Sequence, residues 1–184
     1  MSEVVRETRE SRVRVALELA MGAGAGALPA SAATGEPFLD HMLIALARHA
    51  GWSLEVEARG DLRHHLIEDV AITLGRAVFE AAPATVTRYG DRTVAMDEAL
   101  VQVVLDAGGR AFYAGPLPSG LYDHWMRSFA GEARCTLHLR VLRGTDRHHV
   151  IEAAFKALGL ALRDALTGTD AMFSTKGAVQ WTVR

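Results

Sequence analysis

The sequence predicts an α/β (α+β) fold that is internally duplicated. Segments with the alternation of strands and segments with the spacing of helices follow each other along the 184 residues, and their order in the first half returns in the second. Residues 60–68 (GDLRHHLIE) match residues 144–152 (GTDRHHVIE) at an offset of 84 residues, and a Leu-Gly pair recurs at the same offset. Because a half-length unit would bury little core alone, we expect a single domain, 1–184, in which repeats of about 1–90 and 91–184 share one core.

The first repeat is predicted to contain two strands, two helices and one long loop. Apolar residues alternate with Arg and Glu in the first strand, whereas Leu39, Leu43 and Leu46 recur at helical spacing in the first helix. The loop is rich in Gly and Ala. The predicted elements are a strand at 4–20, the loop at 21–35, a helix at 38–49, a strand at 53–58, and a helix at 67–82 that Pro83 closes.

The second repeat is predicted to follow the same order. Its Asp123-His124 pair echoes Asp40-His41 of the first repeat at an offset of 83 residues. Its predicted elements are a strand at 93–106, a short strand at 111–113, a loop at 115–120, a helix at 122–130, a strand at 136–142 and a helix at 150–166. The tail, 167–184, is predicted to be mostly loop, with a last strand at 178–183.

Composition excludes several classes of protein. Hydrophobic residues make up 49% and charged residues 23% of the chain, which is enough apolar surface for a packed core. A formal net charge of −2 provides no basic field for nucleic acid. The single cysteine, Cys135, excludes a disulfide within one chain and a cysteine-based zinc site. No apolar run approaches a membrane span, and residues 1–14 lack the apolar stretch of a secretory signal, so we expect a soluble, cytoplasmic protein with no membrane or nucleic-acid partner.

The eight histidines are the most informative residues of the sequence. In each repeat an Arg-His-His-x-Ile-Glu segment begins a helix, so the second histidine and the glutamate share one helix face, while the first histidine points about 100° away. One isolated pair is also typical of a solvated helix cap. Two copies at equivalent positions instead predict a duplicated metal site, and imidazole and carboxylate donors without thiolate suit Mn, Fe, Zn or Ni. The ligands predicted by these motifs are His64, His65, Glu68, His148, His149 and Glu152.

Two further histidines are able to complete such a site, and a second set of residues is suited to bind an anion. His41 begins a mostly apolar helix, where a buried structural histidine is the alternative, and His138 lies mid-strand on the face opposite the leucines. His124 has no argument for metal binding beyond its Asp-His echo. The candidate anion ligands are His49, Arg88, Arg110 and, within the STKG segment at 174–177, Ser174 and Lys176.

Together these motifs resemble the imidazoleglycerol-phosphate dehydratase family of histidine biosynthesis. The resemblance extends from about residue 6 to residue 177, and the paired HHxxE motifs with STKG make it specific. The sequence departs from the family at Ile44 and Ala45, where Asp-Gln is usual. The matching segments are FLDHML at 38–43, RH at 48–49, HHLIED at 64–69, MDEAL at 96–100, GR at 109–110, TLH at 136–138, HHVIEAAFK at 148–156 and STKG at 174–177.

The resemblance implies a fold, an assembly and a set of site residues. It implies two four-stranded mixed sheets packed around a helical bundle, with halves like the second domain of ribosomal protein S5. It also implies a homo-oligomer, a 24-mer, with di-manganese (Mn²⁺) sites built between subunits. The metal ligands implied by motif matching are His41, His64, His65, Glu68, His138, His148, His149 and Glu152. The substrate contacts implied are Glu7, His49, Arg88, Arg110, Ser174 and Lys176, together with the metal-site residues His41, His64, His65 and Glu68.

The resemblance further implies a hydro-lyase that dehydrates D-erythro-imidazole glycerol phosphate to imidazole acetol phosphate. Two metal ions, one on each ring nitrogen, would stabilise the imidazolate that expels a hydroxyl group from the side chain. Glu7 is the candidate acid and base for the proton transfers, with Asp97 and Glu68 as the other candidates. The anion ligands would hold the phosphate and so position the reacting carbons.

Two other functions remain open at the level of sequence. A non-catalytic, metal-dependent assembly protein of the same fold would keep the metal ligands to cross-link subunits, but it would not need Glu7, Arg88 or Lys176. A di-metal hydrolase with a bridging hydroxide would explain paired ligands. It would not explain the STKG segment or the even division of the ligands between the repeats.

Overall fold

The computed structural model describes residues 1–19 and 28–170, and its elements occur twice in one order. The first repeat contains β1 (Ser2–Glu7), β2 (Ser11–Glu18), β3 (Ala30–Ala33), α1 (Pro37–Ala50), β4 (Ser53–Gly60) and α2 (Arg63–Ala81). The second contains β5 (Tyr89–Met96), β6 (Ala99–Asp106), β7 (Phe112–Ala114), α3 (Gly120–Glu132), β8 (Thr136–Arg143) and α4 (Arg147–Ala165). The predicted internal duplication is confirmed.

Each repeat forms its own four-stranded sheet. The strand orders are β1-β2-β4-β3 and β5-β6-β8-β7, so the two sheets have the same topology. In each sheet the first three strands pair antiparallel, and the short edge strand pairs parallel to its neighbour, β3 to β4 and β7 to β8. The prediction of two four-stranded mixed sheets is therefore confirmed.

Two strands predicted as continuous are hairpins. The first, 4–20, contains most of β1 and all of β2, and the second, 93–106, contains half of β5 and all of β6. The first turn is closed by Thr8, whose Oγ1 accepts the backbone N–H of Ser11 at 3.0 Å. The second reverses at Asp97, which adopts a left-handed conformation with φ +47°. Neither turn contains Gly or Pro, so the alternating pattern runs through both and conceals the breaks.

Other boundaries also differ from the prediction. The Gly- and Ala-rich segment predicted as a loop contains β3, a run of Ala and Ser without strand preference that is held by pairing with β4. Helices α2 and α4 begin at Arg63 and Arg147, earlier than predicted, so both histidine pairs lie in a first helical turn. The strand predicted at 178–183 lies outside the described residues.

The four helices lie between the two sheets and share one hydrophobic core. α2 covers β1 and β2, α4 covers β5 and β6, and the helices of the two repeats contact each other as the pairs α1–α4 and α2–α3. Trp125 of α3 stacks on Phe129 and contacts Phe155 of α4, with ring centroids 5.3 and 4.6 Å away. Cys135 is buried in this core, where burial raises the pKa of its thiol to about 12. Within the described residues, no helix has both the length and the apolar character of a membrane span.

The repeated Leu-Gly pair explains how closely the helices approach. A Cβ on Gly159 of α4 would meet the carbonyl oxygen of Leu46 at 2.5 Å, and a Cβ on Gly75 of α2 would meet that of Phe129 at 2.6 Å. Both distances are shorter than van der Waals contact, and both obstacles are backbone atoms. Glycine is therefore required at these positions by packing.

We predict that Gly159→Ala and Gly75→Ala each lower the free energy of unfolding by about 1–3 kcal/mol, because the added methyl group pushes two helix backbones apart. Gly131→Ala in α3 is the matched control, since a Cβ there meets nothing within 4 Å and alanine favours a helix. Denaturant unfolding of the three variants measures the difference. Equal stability of Gly131→Ala and Gly159→Ala would contradict the packing argument.

Candidate metal centres

The pair α1–α4 assembles the first candidate metal centre. His41 of α1 lies beside Glu152 of α4, and further along both helices Leu46 lies beside Gly159, so the two helices run in the same direction. The carboxylate of Glu152 approaches His41 Nε2 at 3.2 Å and His148 Nε2 at 3.0 Å. We call His41, His148 and Glu152 group 1. Their ligand atoms all lie within 4.8 Å of one another.

The pair α2–α3 assembles a second centre in the same way. His124 of α3 meets Glu68 of α2 near the beginning of both helices, and Phe129 meets Gly75 further along. Glu68 lies 3.1 Å from His124 Nε2 and 3.7 Å from His64 Nε2. We call His64, Glu68 and His124 group 2, and its ligand atoms also lie within 4.8 Å of one another. Each group therefore combines an Asp-His histidine of one repeat with the HHxxE motif of the other.

The aspartates of the two Asp-His pairs fix the helix starts that carry these histidines. Asp40 accepts hydrogen bonds from the backbone N–H and the hydroxyl of Thr34, at 3.0 and 2.6 Å. Asp123 accepts them from the backbone N–H of Leu117 at 2.9 Å and from the hydroxyl of Tyr113 at 2.6 Å. In both repeats the aspartate thus ties the preceding loop to the first helical turn, and the next residue is the histidine of the metal group.

The donor sets of both groups fit a divalent transition metal ion. Two imidazoles and one carboxylate converge in each, and such nitrogen and oxygen donors suit Mn, Fe or Zn. The Nε2 atom of His124 is buried and, within the part of the chain that the structure describes, makes no hydrogen bond, although Glu68 Oε1 lies 3.1 Å away. An unpaired, buried imidazole nitrogen facing a carboxylate is suited to hold a cation between them.

The two groups differ in how their glutamate is held. Burial opposes the ionisation of Glu152, but hydrogen bonds from Lys156 and His41 outweigh it, so the pKa of Glu152 lies below its ordinary value. The Lys156 ammonium approaches Glu152 at 2.8 Å. Glu68 is more exposed, with 32% of its side chain accessible against 8% for Glu152. The position in α2 equivalent to Lys156 is Ile72, which supplies no charge.

The second histidine of each HHxxE motif, which was predicted to share a face with the glutamate, stands apart from both groups, because the glutamate pairs instead with the first histidine, four residues before it. His65 Nδ1 lies 3.1 Å from Asp61 and 3.4 Å from Glu10, and His149 Nδ1 lies 2.7 Å from Glu98. These carboxylates raise the pKa of both histidines, and the bond from His149 is the main cause that lowers the pKa of Glu98 to about 2. Each of the two histidines is therefore held on its Nδ1 side by a carboxylate.

The structure brings His124, and not His138, into a metal group. His138 lies on β8 with its ring 5.5 Å from Phe112, away from both groups. The sequence did contain a signal for His124, because the Asp-His pair repeats at nearly the offset of HHxxE. The repeated Asp-His pair does not by itself decide between His124 and His138. The decision requires the knowledge that the Asp-His pair of one repeat packs against the HHxxE motif of the other.

Arg88 and Arg110 lie at the other end of the second repeat, around Asp106. The guanidinium of Arg88 binds Asp106 through two hydrogen bonds of 2.6 and 2.9 Å, and these hold the pKa of that carboxyl below its usual range. The backbone N–H of Arg88 donates to Ala165 at the end of α4. Arg110 is exposed, and its positive charge also lowers the pKa of Asp106, although less than Arg88 does.

The other predicted anion ligands are less clustered. His49 lies in the last turn of α1, where its Nδ1 is 2.7 Å from the carbonyl oxygen of Ala45 and its Cβ faces Gly159. Ser174 and Lys176 lie outside the described residues. The described part of the chain therefore places one predicted anion ligand on α1 and two near the end of β6.

The predicted acid–base residues lie at the two hairpin turns. Glu7 ends β1, is exposed, and lies 3.5 Å from Arg12 beside a cleft of about 310 Å³. Asp97 occupies the turn between β5 and β6, 3.5 Å from His149 Nε2. Glu68, the third candidate, belongs to group 2. Asp97 is thus exposed beside the second histidine pair, and Glu7 is exposed at the equivalent hairpin of the first repeat.

Comparison with known proteins gives a consistent result. The family model described as Imidazoleglycerol-phosphate dehydratase matches residues 34–162. The chain is 43% identical to the imidazoleglycerol-phosphate dehydratase of Azorhizobium caulinodans, over 97% of this chain and 98% of that protein, and 43% identical to that of a Parafrankia species, over 90% of each. Its fold is similar to the crystal structure of IGPD from Pyrococcus furiosus, with a TM-score of 0.84 at 34% identity, covering 96% of this chain and 100% of that chain. The imidazoleglycerol-phosphate dehydratase of Staphylococcus aureus gives a TM-score of 0.76 at 32% identity, covering 92% and 100%.

The Arg88–Asp106 pair predicts a dependence of stability on pH. Because the pKa of Asp106 is lowered in the folded state, its charge stabilises the fold above the unfolded pKa of about 4, and this contribution is lost as pH falls through the lowered value. Asp106→Asn should therefore cost about 1–3 kcal/mol near pH 7, with a gap to the unchanged protein that narrows below about pH 4. Denaturant unfolding at several pH values measures this gap. Asp91→Asn on the exposed face of β5 is the control, and a gap for Asp106→Asn that stays constant to about pH 3 would exclude the assigned cause.

Proposed function

The chain belongs to the imidazoleglycerol-phosphate dehydratase family, and from this premise we propose that it carries out the dehydration with two manganese ions held by groups 1 and 2. As a member of this family it is a dehydratase of histidine biosynthesis. The proposed reaction converts D-erythro-imidazole glycerol phosphate to imidazole acetol phosphate. Because a phosphorylated substrate of this kind does not cross membranes freely, we propose the cytoplasm as its location.

The observation that carries the proposal is the pair of equivalent donor sets. Each consists of two imidazoles and one carboxylate, and each lies where helices of different repeats begin. The proposed ligands are His41, His148 and Glu152 for one ion and His64, Glu68 and His124 for the other, so that His124 takes the place first given to His138. Manganese suits mixed nitrogen and oxygen donors.

The chemistry of the substrate explains why two cations are needed. The proton to be removed is not acidified by a neighbouring carbonyl group, so the imidazole ring itself must store negative charge. Bound metal ions would supply the positive charge that stabilises an anionic ring. Glu7 and Asp97, exposed at the hairpin turns, are the proposed groups that take the proton from carbon and return one to the departing hydroxyl, which leaves as water. Arg88, Arg110 and His49 would hold the phosphate, with Ser174 and Lys176 of the tail.

One chain cannot bring both its metal groups and its phosphate-binding arginines to the same substrate molecule. His148 lies in the first turn of α4, whereas Arg88 is bonded to the last residue of that helix, and the intervening helix is about 25 Å long. The neighbouring strand gives a similar length, because β6 extends about 23 Å from Ala99 to Asp106. A three-carbon phosphate ester carrying one imidazole ring is much shorter. We therefore propose that each active site takes its metal groups and its arginines from different subunits.

The unused histidines support the same arrangement. His65 and His149 stand outside the two groups with their Nδ1 atoms held by carboxylates, so Nε2 is the nitrogen that each has left for a metal ion, with Asp97 3.5 Å from the Nε2 of His149. We propose that they complete the coordination of ions held by neighbouring subunits in a homo-oligomer, a 24-mer. Metal binding and assembly are then coupled, because each ion joins two chains.

We predict that purified protein with Mn²⁺ forms the ketone from imidazole glycerol phosphate, and that His124→Ala abolishes this turnover and lowers the bound metal. His138→Ala is the control and should retain metal and at least about half of the activity, because His138 is exposed on β8 and lies outside groups 1 and 2. Metal analysis after dialysis and a colorimetric assay of the ketone measure both quantities. Metal binding without turnover in the unchanged protein would favour the non-catalytic assembly protein, and loss of metal in His138→Ala would reverse the ligand assignment.

We also predict that two inactive variants restore activity when they are co-assembled. His148→Ala damages group 1 at the start of α4. Arg110→Ala damages the proposed phosphate site around Arg88 and Asp106, and Arg88 is bonded to the other end of that helix, about 25 Å away. In a random mixture of equal parts, about a quarter of the sites receive both ends intact if each site draws on two subunits, so about a quarter of the activity should return. Co-expression of the two chains, with His148→Ala plus His124→Ala as a control pair, measures it. Restoration is not expected if one chain supplies the whole site.

A further inference from the structure

Glu98 connects the β5–β6 hairpin to the start of α4 through three hydrogen bonds. Its Oε1 accepts the backbone N–H of Asp146 at 2.8 Å and that of Thr145 at 3.3 Å. Its Oε2 lies 2.7 Å from Nδ1 of His149. Asp146 in turn caps α4, accepting the backbone N–H of His148 at 2.7 Å. One carboxylate thus contacts two fixed backbone donors and one imidazole whose proton can sit on either nitrogen.

We propose that Glu98 is a positioning residue that keeps the proton of His149 on Nδ1 and so presents Nε2 as the metal-binding nitrogen. An ionised carboxylate offers only acceptors, so the ring nitrogen at hydrogen-bond distance from it carries the hydrogen. For His149 that nitrogen is Nδ1, 2.7 Å from Glu98, because the carboxylate of Asp97 is 3.5 Å from Nε2, too far for a normal hydrogen bond. A neutral imidazole has one N–H, and the other nitrogen then keeps its lone pair for a metal ion. This inference rests on the proposed function, because it assumes that His149 completes a metal site.

The first repeat holds its equivalent histidine by a different arrangement. A single oxygen of Asp61, Oδ1, accepts both from the backbone N–H of Leu62 at 2.6 Å and from Nδ1 of His65 at 3.1 Å. In the second repeat the backbone and the imidazole are bonded to different oxygens of Glu98. A carboxamide has only one oxygen. It can therefore replace Asp61 without losing either bond, but it cannot replace Glu98 in the same way.

This difference makes Glu98→Gln a test of the proton position. The backbone N–H groups of Asp146 and Thr145 cannot change their character, so the carboxamide oxygen should stay with them and the NH₂ group should face His149. The imidazole then accepts at Nδ1 and carries its proton on Nε2, which blocks the metal-binding nitrogen. Glu98→Ala removes more contacts but leaves the ring free to adopt the productive form. The proposal therefore expects Glu98→Gln to be the more damaging change.

The experiment is a titration of the full-length, metal-depleted protein with Mn²⁺, following free Mn²⁺ by its electron paramagnetic resonance. Glu98→Gln should lower the affinity for one of the two Mn²⁺ ions about tenfold to a hundredfold, and Glu98→Ala should lower that affinity less. Asp61→Asn is the matched carboxylate-to-carboxamide change in the other repeat and should alter neither affinity by more than about threefold. Thermal unfolding of the metal-free variants checks that each is folded.

The order of the two Glu98 variants decides the proposal. If Glu98 merely connects the hairpin to α4, Glu98→Ala should lower both the unfolding temperature and the affinity for Mn²⁺ more than Glu98→Gln does. That result would overturn the proposal. Equal affinities in both variants and the unchanged protein overturn it as well, while leaving the dehydratase proposal standing. If the unchanged protein binds no Mn²⁺, the proposal for Glu98 and the proposal of a two-manganese site fail together. An assay of ketone formation without added Mn²⁺ then shows whether the protein is a dehydratase that does not use manganese.

Discussion

Direct contact between helix backbones at Gly159 and Gly75 is the constraint on which the rest of the molecule depends. At these two positions the glycine lets the backbone of α4 approach that of α1, and the backbone of α2 approach that of α3. The contacts His41–Glu152 and His124–Glu68 nearer the helix starts show that each pair runs in the same direction. Parallel packing places the beginnings of both helices of a pair side by side. The Asp-His histidine at one beginning then faces the HHxxE motif at the other, so that a pair of glycines midway along the helices determines the register of six ligand residues.

This register also explains why the chain is duplicated. Neither group 1 nor group 2 lies within one repeat, since each takes one histidine from one repeat and two residues from the other. A single repeat could reach the same arrangement only as a symmetric dimer. Fusion of two repeats keeps that geometry while it allows the copies to diverge, and the bonds of Asp61 and Glu98 to their histidines show such a divergence.

The sequence predicted the types of ligand residue better than it predicted which helices lie next to each other. The HHxxE motifs predicted paired ligands because helical spacing alone places a histidine and a glutamate on one face. They gave the wrong partner, since the spacing of three residues favoured the second histidine, whereas the first histidine, four residues before the glutamate, joins it in both groups. The choice between His124 and His138 required knowledge of which helices are neighbours, and that is a property of packing. The two hairpins were missed for a local reason, since turns at Thr8 and Asp97 are made by side-chain bonding and a left-handed residue without Gly or Pro.

Groups 1 and 2 are similar but not identical, and the same is true of the two sides of the proposed substrate's imidazole ring. An imidazole ring offers two similar nitrogens, and the duplication offers two similar donor sets for the two ions that we propose to bind them. The glycerol phosphate extends from one side of the ring, so the surroundings of the two ions cannot remain identical. Lys156 provides this asymmetry, because its ammonium neutralises Glu152 of group 1 whereas Glu68 of group 2 has no such partner among the described residues. Group 1 thus offers an ion a less negative environment than group 2, while both keep the same imidazole donors.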